Sequence, residues 1–298
     1  MKHLLRLILP VAALATVSCT KYDYKQELEK YTDNVFFVAD RIAGQTHVST
    51  HGEIRVEGDL ASQSYIVKID NVQLSDGAPL RSASVSNLLQ FYKEKGESEE
   101  DKLIPLYFYF PQSSTTRTSG DLDVSNMRYC YITNSFWISF ASDSRYDIWG
   151  TPRVRSLYAN YNRTQSPVSA GYIVENSLCP SYKFTLNVEQ KTVTIVGNGV
   201  RLRQDAQDPS KSLDFKTMEL RDIPIEFSST GYAFFVNELI PIINGDPAPQ
   251  HTITNFQAEI AFDYDGKKTF TYKILNGEGQ NISVETKFGL TRLPNTTD

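Results

Sequence analysis

Apolar residues in this chain recur at every second position, segment after segment, and that period decides the class of fold. Glu53-Ile54-Arg55-Val56-Glu57 alternates polar with apolar side chains, and so does Tyr65 to Leu74. The pattern continues through Leu106 to Phe110, Met127 to Thr133, Phe136 to Phe140, Tyr182 to Val188, Thr192 to Val196, Met218 to Phe227, Phe256 to Tyr264 and Thr269 to Leu275. Successive side chains of a strand point to opposite faces, so this period describes sheets with one face buried. The 17 Tyr and 16 Phe of the 298 residues suit strands better than helices. Turn signals separate the runs. Asp265-Gly266 is a hairpin signal, because both central positions of such a turn need positive φ. Gly197-Asn198-Gly199 and Asn276-Gly277 read as further turns or bulges, and Asp70-Asn71 as a bulge.

One segment departs from the period. Val85, Leu88, Leu89 and Tyr92 are spaced i, i+3, i+4, i+7 behind Ser84, which predicts a short amphipathic helix with a serine N-cap. A charged loop, Lys93 to Lys102, follows it.

The chain also resembles itself. A shift of 151 residues lays Ile69-Asp70-Asn71-Val72-Gln73-Leu74 on Leu220-Arg221-Asp222-Ile223-Pro224-Ile225, and Val85, Leu88 and Leu89 on Val236, Leu239 and Ile240. With gaps, Ile54-Arg55-Val56 matches Val193-Thr194-Ile195. Apolar positions agree and polar identities do not, as two copies of one fold would keep their core face. This predicts two β-domains, over 35–175 and 176–298. The first is longer around Pro111 to Asn162, which holds both Trp residues. The expected fold is all-β: two tandem, internally repeated antiparallel sandwich-like domains, each with a short helix. A barrel or calycin-like closure is the alternative.

The N-terminus carries an address. Lys2 and Arg6 precede an apolar run, Leu7 to Ala15, broken by Pro10 and closed by Thr16-Val17-Ser18-Cys19. A run this short reads as a secretory signal rather than a membrane helix. The Ser-Cys ending resembles the lipobox of bacterial lipoproteins, with Thr16 standing where Leu is usual. That resemblance implies a signal over 1–18, lipidation at Cys19 and a polar tether over 19–34. It places the chain in the bacterial envelope as an outer-membrane lipoprotein, held to the membrane by its lipid alone. With the Tyr-rich strands, the chain resembles surface or periplasmic lipoproteins of Bacteroidota, many of them of unknown function. An oxidising envelope permits a disulfide between Cys130 and Cys179, and two separately buried thiols fit the sequence equally.

Composition narrows the partners. Thirty Lys and Arg against 35 Asp and Glu give a net charge of -5, unlike the concentrated basic surface of a nucleic-acid binder. Motifs narrow the chemistry. There is no GxSxG, Walker A, GxGxxG before a helix or CxxC. His47 and His51 stand about 13 Å apart if extended, at ~3.3 Å per residue, too far to share a metal. His251 lies in a Pro-rich loop without an obvious partner. Asp263-Tyr264-Asp265-Gly266 lacks most ligands of a calcium loop. Glu97, Glu99, Glu100 and Asp101 form a charge run of the kind that faces solvent, and no carboxylate pair stands out for glycoside hydrolysis. Hence no catalytic residue, metal site or cofactor is assigned.

Aromatics remain. Tyr129, Tyr131, Trp137, Trp149, Tyr158 and Tyr161 crowd into one stretch, and exposed aromatic rings bind sugar faces or protein partners. The sequence therefore predicts a non-catalytic binding or assembly module for a glycan or an envelope protein. The alternatives are an envelope carbohydrate hydrolase, or an anchoring subunit of a surface appendage that donates a strand such as Phe288 to Leu293.

Overall fold

The computed structural model describes residues 31–49, 51–59, 64–94, 103–109, 117–130, 135–140, 145–169, 171–175, 180–228, 231–262 and 266–288. These form two eleven-stranded antiparallel sheets, one after the other along the chain, with no α-helix among the described residues.

The first sheet comprises β1 (Tyr31–Thr32), β2 (Asn34–Asp40), β3 (Gln45–Ser49), β4 (Glu53–Asp59), β5 (Ser64–Gln73), β6 (Leu80–Glu94), β7 (Leu103–Tyr109), β8 (Arg117–Gly120), β9 (Val124–Cys130), β10 (Ser135–Phe140) and β11 (Tyr146–Pro152). Two curved arcs share the long strand β6. They meet again along residues 31–40, where β1 pairs with β4 and β2 with both β3 and β11. Phe36, Val38, Ile54, Val67, Val85, Met127, Ile138 and Ile148 fill the common interior.

The second sheet comprises β12 (Val154–Gln165), β13 (Ile173–Glu175), β14 (Ser181–Asn187), β15 (Thr192–Arg203), β16 (Ser212–Ser228), β17 (Gly231–Leu239), β18 (Ile242–Ile243), β19 (Asp246–Pro247), β20 (Ile253–Ala261), β21 (Lys268–Leu275) and β22 (Asn281–Phe288), with a 3-10 turn at Pro249–His251. Eight of them, β12, β14, β15, β16, β17, β20, β21 and β22, pair in chain order, and β22 returns to β12. This is a closed up-and-down barrel. The barrel alternative, rather than the sandwich, describes 154–288. Eight strands leave an interior that side chains can fill. Tyr182, Phe184, Tyr232, Phe234, Phe256, Phe270, Tyr272 and Phe288 fill it here. Gly197 makes room for one of them, since a Cβ there would stand 2.6 Å from the Tyr182 ring.

The expected helix is a strand. Val85, Leu88 and Leu89 lie in β6, and the register slips between Tyr65 and Ile66 on its partner. That bulge adds one residue and reverses the alternation, so Val85 and Leu88 both reach the core three positions apart. The second expected helix meets the same end, because Val236 and Leu239 lie in β17. Gly197-Asn198-Gly199 is no turn either. It bends β15 from within, with Gly199 at φ 65°.

The two self-similar segments take similar shapes. Asn71 and Asp222, 151 residues apart, both adopt positive φ, 59° and 54°. Each marks a register shift, of β5 against β6 and of β16 against β15. The sheets divide at Arg153, ahead of the expected boundary at 175/176, because β12 belongs to the second. Arg153 alone joins β11 to β12. Its N–H donates to Asp33 O at 2.7 Å and its carbonyl accepts from Leu186 N at 2.9 Å.

At this junction the outer face of the first sheet closes one end of the barrel. The Phe37 ring lies 4.5 Å from Phe227 and 6.3 Å from Phe262, and stacks on Trp149 at 6.0 Å. β2 is therefore covered on both faces. Charged pairs surround it. Asp40 accepts from Arg145 and from the amides of Ile42 and Ala43, and Arg41 meets Asp147 at 2.5 Å. The Arg145 hydrogen bond chiefly holds the Asp40 carboxyl well below the ordinary carboxylate range.

Candidate functional site

Among the described residues of 129–161, the aromatic side chains do not share one exposed face. Tyr129 points into the first core. Trp137 and Trp149 are cross-strand partners at the junction, and Trp149 is 3% exposed. Tyr158 is exposed on β12, and Tyr161 is half-buried on the outer face of the barrel. Tyr131, Cys19, Cys179 and Asp263 to Asp265 lie outside the described residues, as does 289–293 of the strand proposed for donation. Phe288 itself belongs to β22, which pairs with β21 and β12. His47 sits in β3 and His51 just beyond it. His251 does find a partner: its Nδ1 lies 2.9 Å from Leu275 O, and its ring meets Phe215 edge-on. No cluster of three His, Cys, Asp or Glu suited to a metal occurs among the described residues. None of their helices is long and apolar enough to cross a membrane.

The barrel interior holds a few polar groups. Thr286 Oγ1 donates to Asn162 Oδ1 at 2.8 Å, near the Tyr182 hydroxyl. Arg155 donates to Ala261 O at 3.2 Å, beside Tyr232. Burial pushes the hydroxyls of Tyr182, Tyr232 and Tyr272 above the ordinary tyrosine value, so all three stay neutral.

The outer face of the same strands offers a site. Cross-strand register aligns Phe235 with Gln257, Gln257 with Thr271, Thr271 with Glu285 and Glu285 with Arg163. Five outward side chains thus form one row across β17, β20, β21, β22 and β12. Two adjoining depressions of about 290 and 520 Å³ share Gln257, Thr271 and Glu285. Phe235, 49% exposed, lines one, and Tyr172, 55% exposed, lines the other.

A small network stiffens the Tyr172 end. Arg163 donates to Glu285 Oε2 at 2.5 Å, and Tyr161 donates to Oε1 at 3.2 Å. The Arg163 guanidinium carbon lies 4.1 Å from the centre of the Tyr172 ring, a cation–π arrangement. Burial first, and then the Glu285 charge, raises Tyr161 above its ordinary value. Both Glu285 oxygens are thereby engaged. The other groove carboxylate, Glu259, pairs with Lys267 at 2.6 Å. One strand, β21, lies between Glu259 on β20 and Glu285 on β22, and each carboxylate is held by its own cation.

Sequence reasoning named Tyr161 as part of an aromatic surface within 129–161 and did not single out Tyr172, Phe235, Gln257 or Glu285. Tyr172 stands in a Pro- and Gly-containing loop without period, and the row exists only once four registers are set. No family model matches this chain, and neither the curated proteins nor the solved structures compared with it gave a match.

Proposed function

We propose that this chain is a non-catalytic carbohydrate-binding module of the bacterial envelope, anchored by a lipid on Cys19, with the outer groove of the 154–288 barrel as its binding surface. The observation that carries this reading is the aligned row Phe235–Gln257–Thr271–Glu285–Arg163 with the exposed Tyr172 ring above one end. Sugars present an apolar face and a ring of hydroxyls. An aromatic plane takes the first, and amide, hydroxyl and carboxylate groups take the second. Depressions of this size with few convergent polar groups suit small ligands. The ion-paired state of both Glu259 and Glu285 favours binding over hydrolysis.

The test is a panel of cell-surface polysaccharides presented to the full chain in detergent. Saturable binding that is lost in Tyr172→Ala and in Gln257→Ala, with unfolding midpoints unchanged, is the expected result. Binding that survives both substitutions sinks the groove. The anchor is tested separately: Cys19→Ser should release the chain from the membrane fraction, and retention there would refute lipidation at that residue.

A further inference from the structure

We infer that the ligand class of this groove is acidic oligosaccharide, with a carboxylate paired to Lys273 and the neighbouring sugar face on Tyr172. The inference rests on the groove reading above. Its basis is the charge ledger of the Tyr172 depression. Two ionised side chains line it, Lys273 and Glu285. Glu285 is neutralised by Arg163, and both its oxygens already accept hydrogen bonds, from Arg163 and Tyr161. Lys273 has no carboxylate partner among the described residues. Its cross-strand neighbours are the neutral Thr254 and Ser283, and neutral Asn255 and Gln257 line the same depression. Lys273, Glu285 and the neighbouring Arg163 together therefore carry one net positive charge in a chain whose net charge is -5. An ammonium offers three donors and a full positive charge, so a carboxylate pairs with it more strongly than a sugar hydroxyl does. Asn255, at φ 53° on the bulge of β20, brings an amide beside it that can serve the adjacent hydroxyls.

The experiment compares oligogalacturonate with its methyl-esterified form, two ligands alike in ring and linkage and different in charge. It uses the full chain in detergent, at 50 and 300 mM salt. The acid should bind about fivefold more tightly at low salt, the size of a partly exposed ion pair, and the preference should shrink at high salt. Lys273→Met should bring the acid's affinity down to that of the ester in the same variant, and Lys273→Arg should keep the preference. Equal affinity for acid and ester, with both lost in Tyr172→Ala, overturns the charge assignment and leaves the groove standing. No binding of either ligand in any variant overturns the acidic assignment as well. The polysaccharide panel then decides separately whether the groove survives.

Discussion

Phe37 with Trp149 at the junction, and Tyr172 with Phe235 on the barrel's outer face, are aromatic residues in opposite circumstances. The first pair faces outward from its own sheet, as Phe235 does, yet it is buried because a second sheet covers it. The second pair meets no such cover. Alternation along a strand says which side chains leave the local core. It does not say what waits on the other side. Aromatic density pointed to 129–161 as a surface, whereas among the described residues the most exposed rings, Tyr172 and Phe235, stand beyond it.

The contrast can be broken by mutation. The largest effect belongs to Phe37→Ala, which empties the space between Trp149, Phe227 and Phe262. It should cost about 3–5 kcal/mol in denaturant unfolding. A cost under about 1 kcal/mol would show that the two sheets do not rely on this contact. Gly150→Ala comes next. A Cβ there overlaps the Phe136 ring, so repacking should cost about 1–3 kcal/mol by the same measurement.

Acid should sharpen the comparison from the junction side. The Asp40 carboxyl lies below its ordinary value of 3.8, chiefly through Arg145. A lowered folded value stabilises the protein above the unfolded value, and that contribution drains away as pH falls below about 4. Unfolding midpoints followed from pH 6 to pH 2 should drop on that limb, and Asp40→Asn should flatten part of the drop. An unchanged acid limb in Asp40→Asn would remove Asp40 from the account. The smallest stability effect belongs to Tyr172→Ala, within about 0.5 kcal/mol of the parent, because the ring covers no core. Loss of ligand with that stability intact would separate the two uses of aromatics.

Much of the fold was legible. The strands with one covered face, such as Tyr182 to Val188 and Thr269 to Leu275, announce themselves by period two. β2 does not, since Val35-Phe36-Phe37-Val38 is apolar throughout, as a strand buried on both faces must be. β6 imitates a helix because a bulge converts a spacing of two into three. The bulge read at Asp70-Asn71 is there, and the similar segment Leu220–Ile225 carries one too; the left-handed residue in each, Asn71 and Asp222, was visible only in the structure. The groove was not legible. Phe235, Gln257, Thr271, Glu285 and Arg163 lie on five strands, and only hydrogen-bond register brings them into line.

The return of β22 to β12 has a consequence for how the barrel meets other chains. A ring of hydrogen bonds has no first or last member, so the eight barrel strands offer no open edge, and the unpaired sides in this half belong to the short β13 and β19. An incoming strand cannot extend the sheet through those eight. Along the barrel wall, recognition falls to side chains. Selectivity is thus written into a handful of replaceable outward positions, while the scaffold that presents them stays sealed.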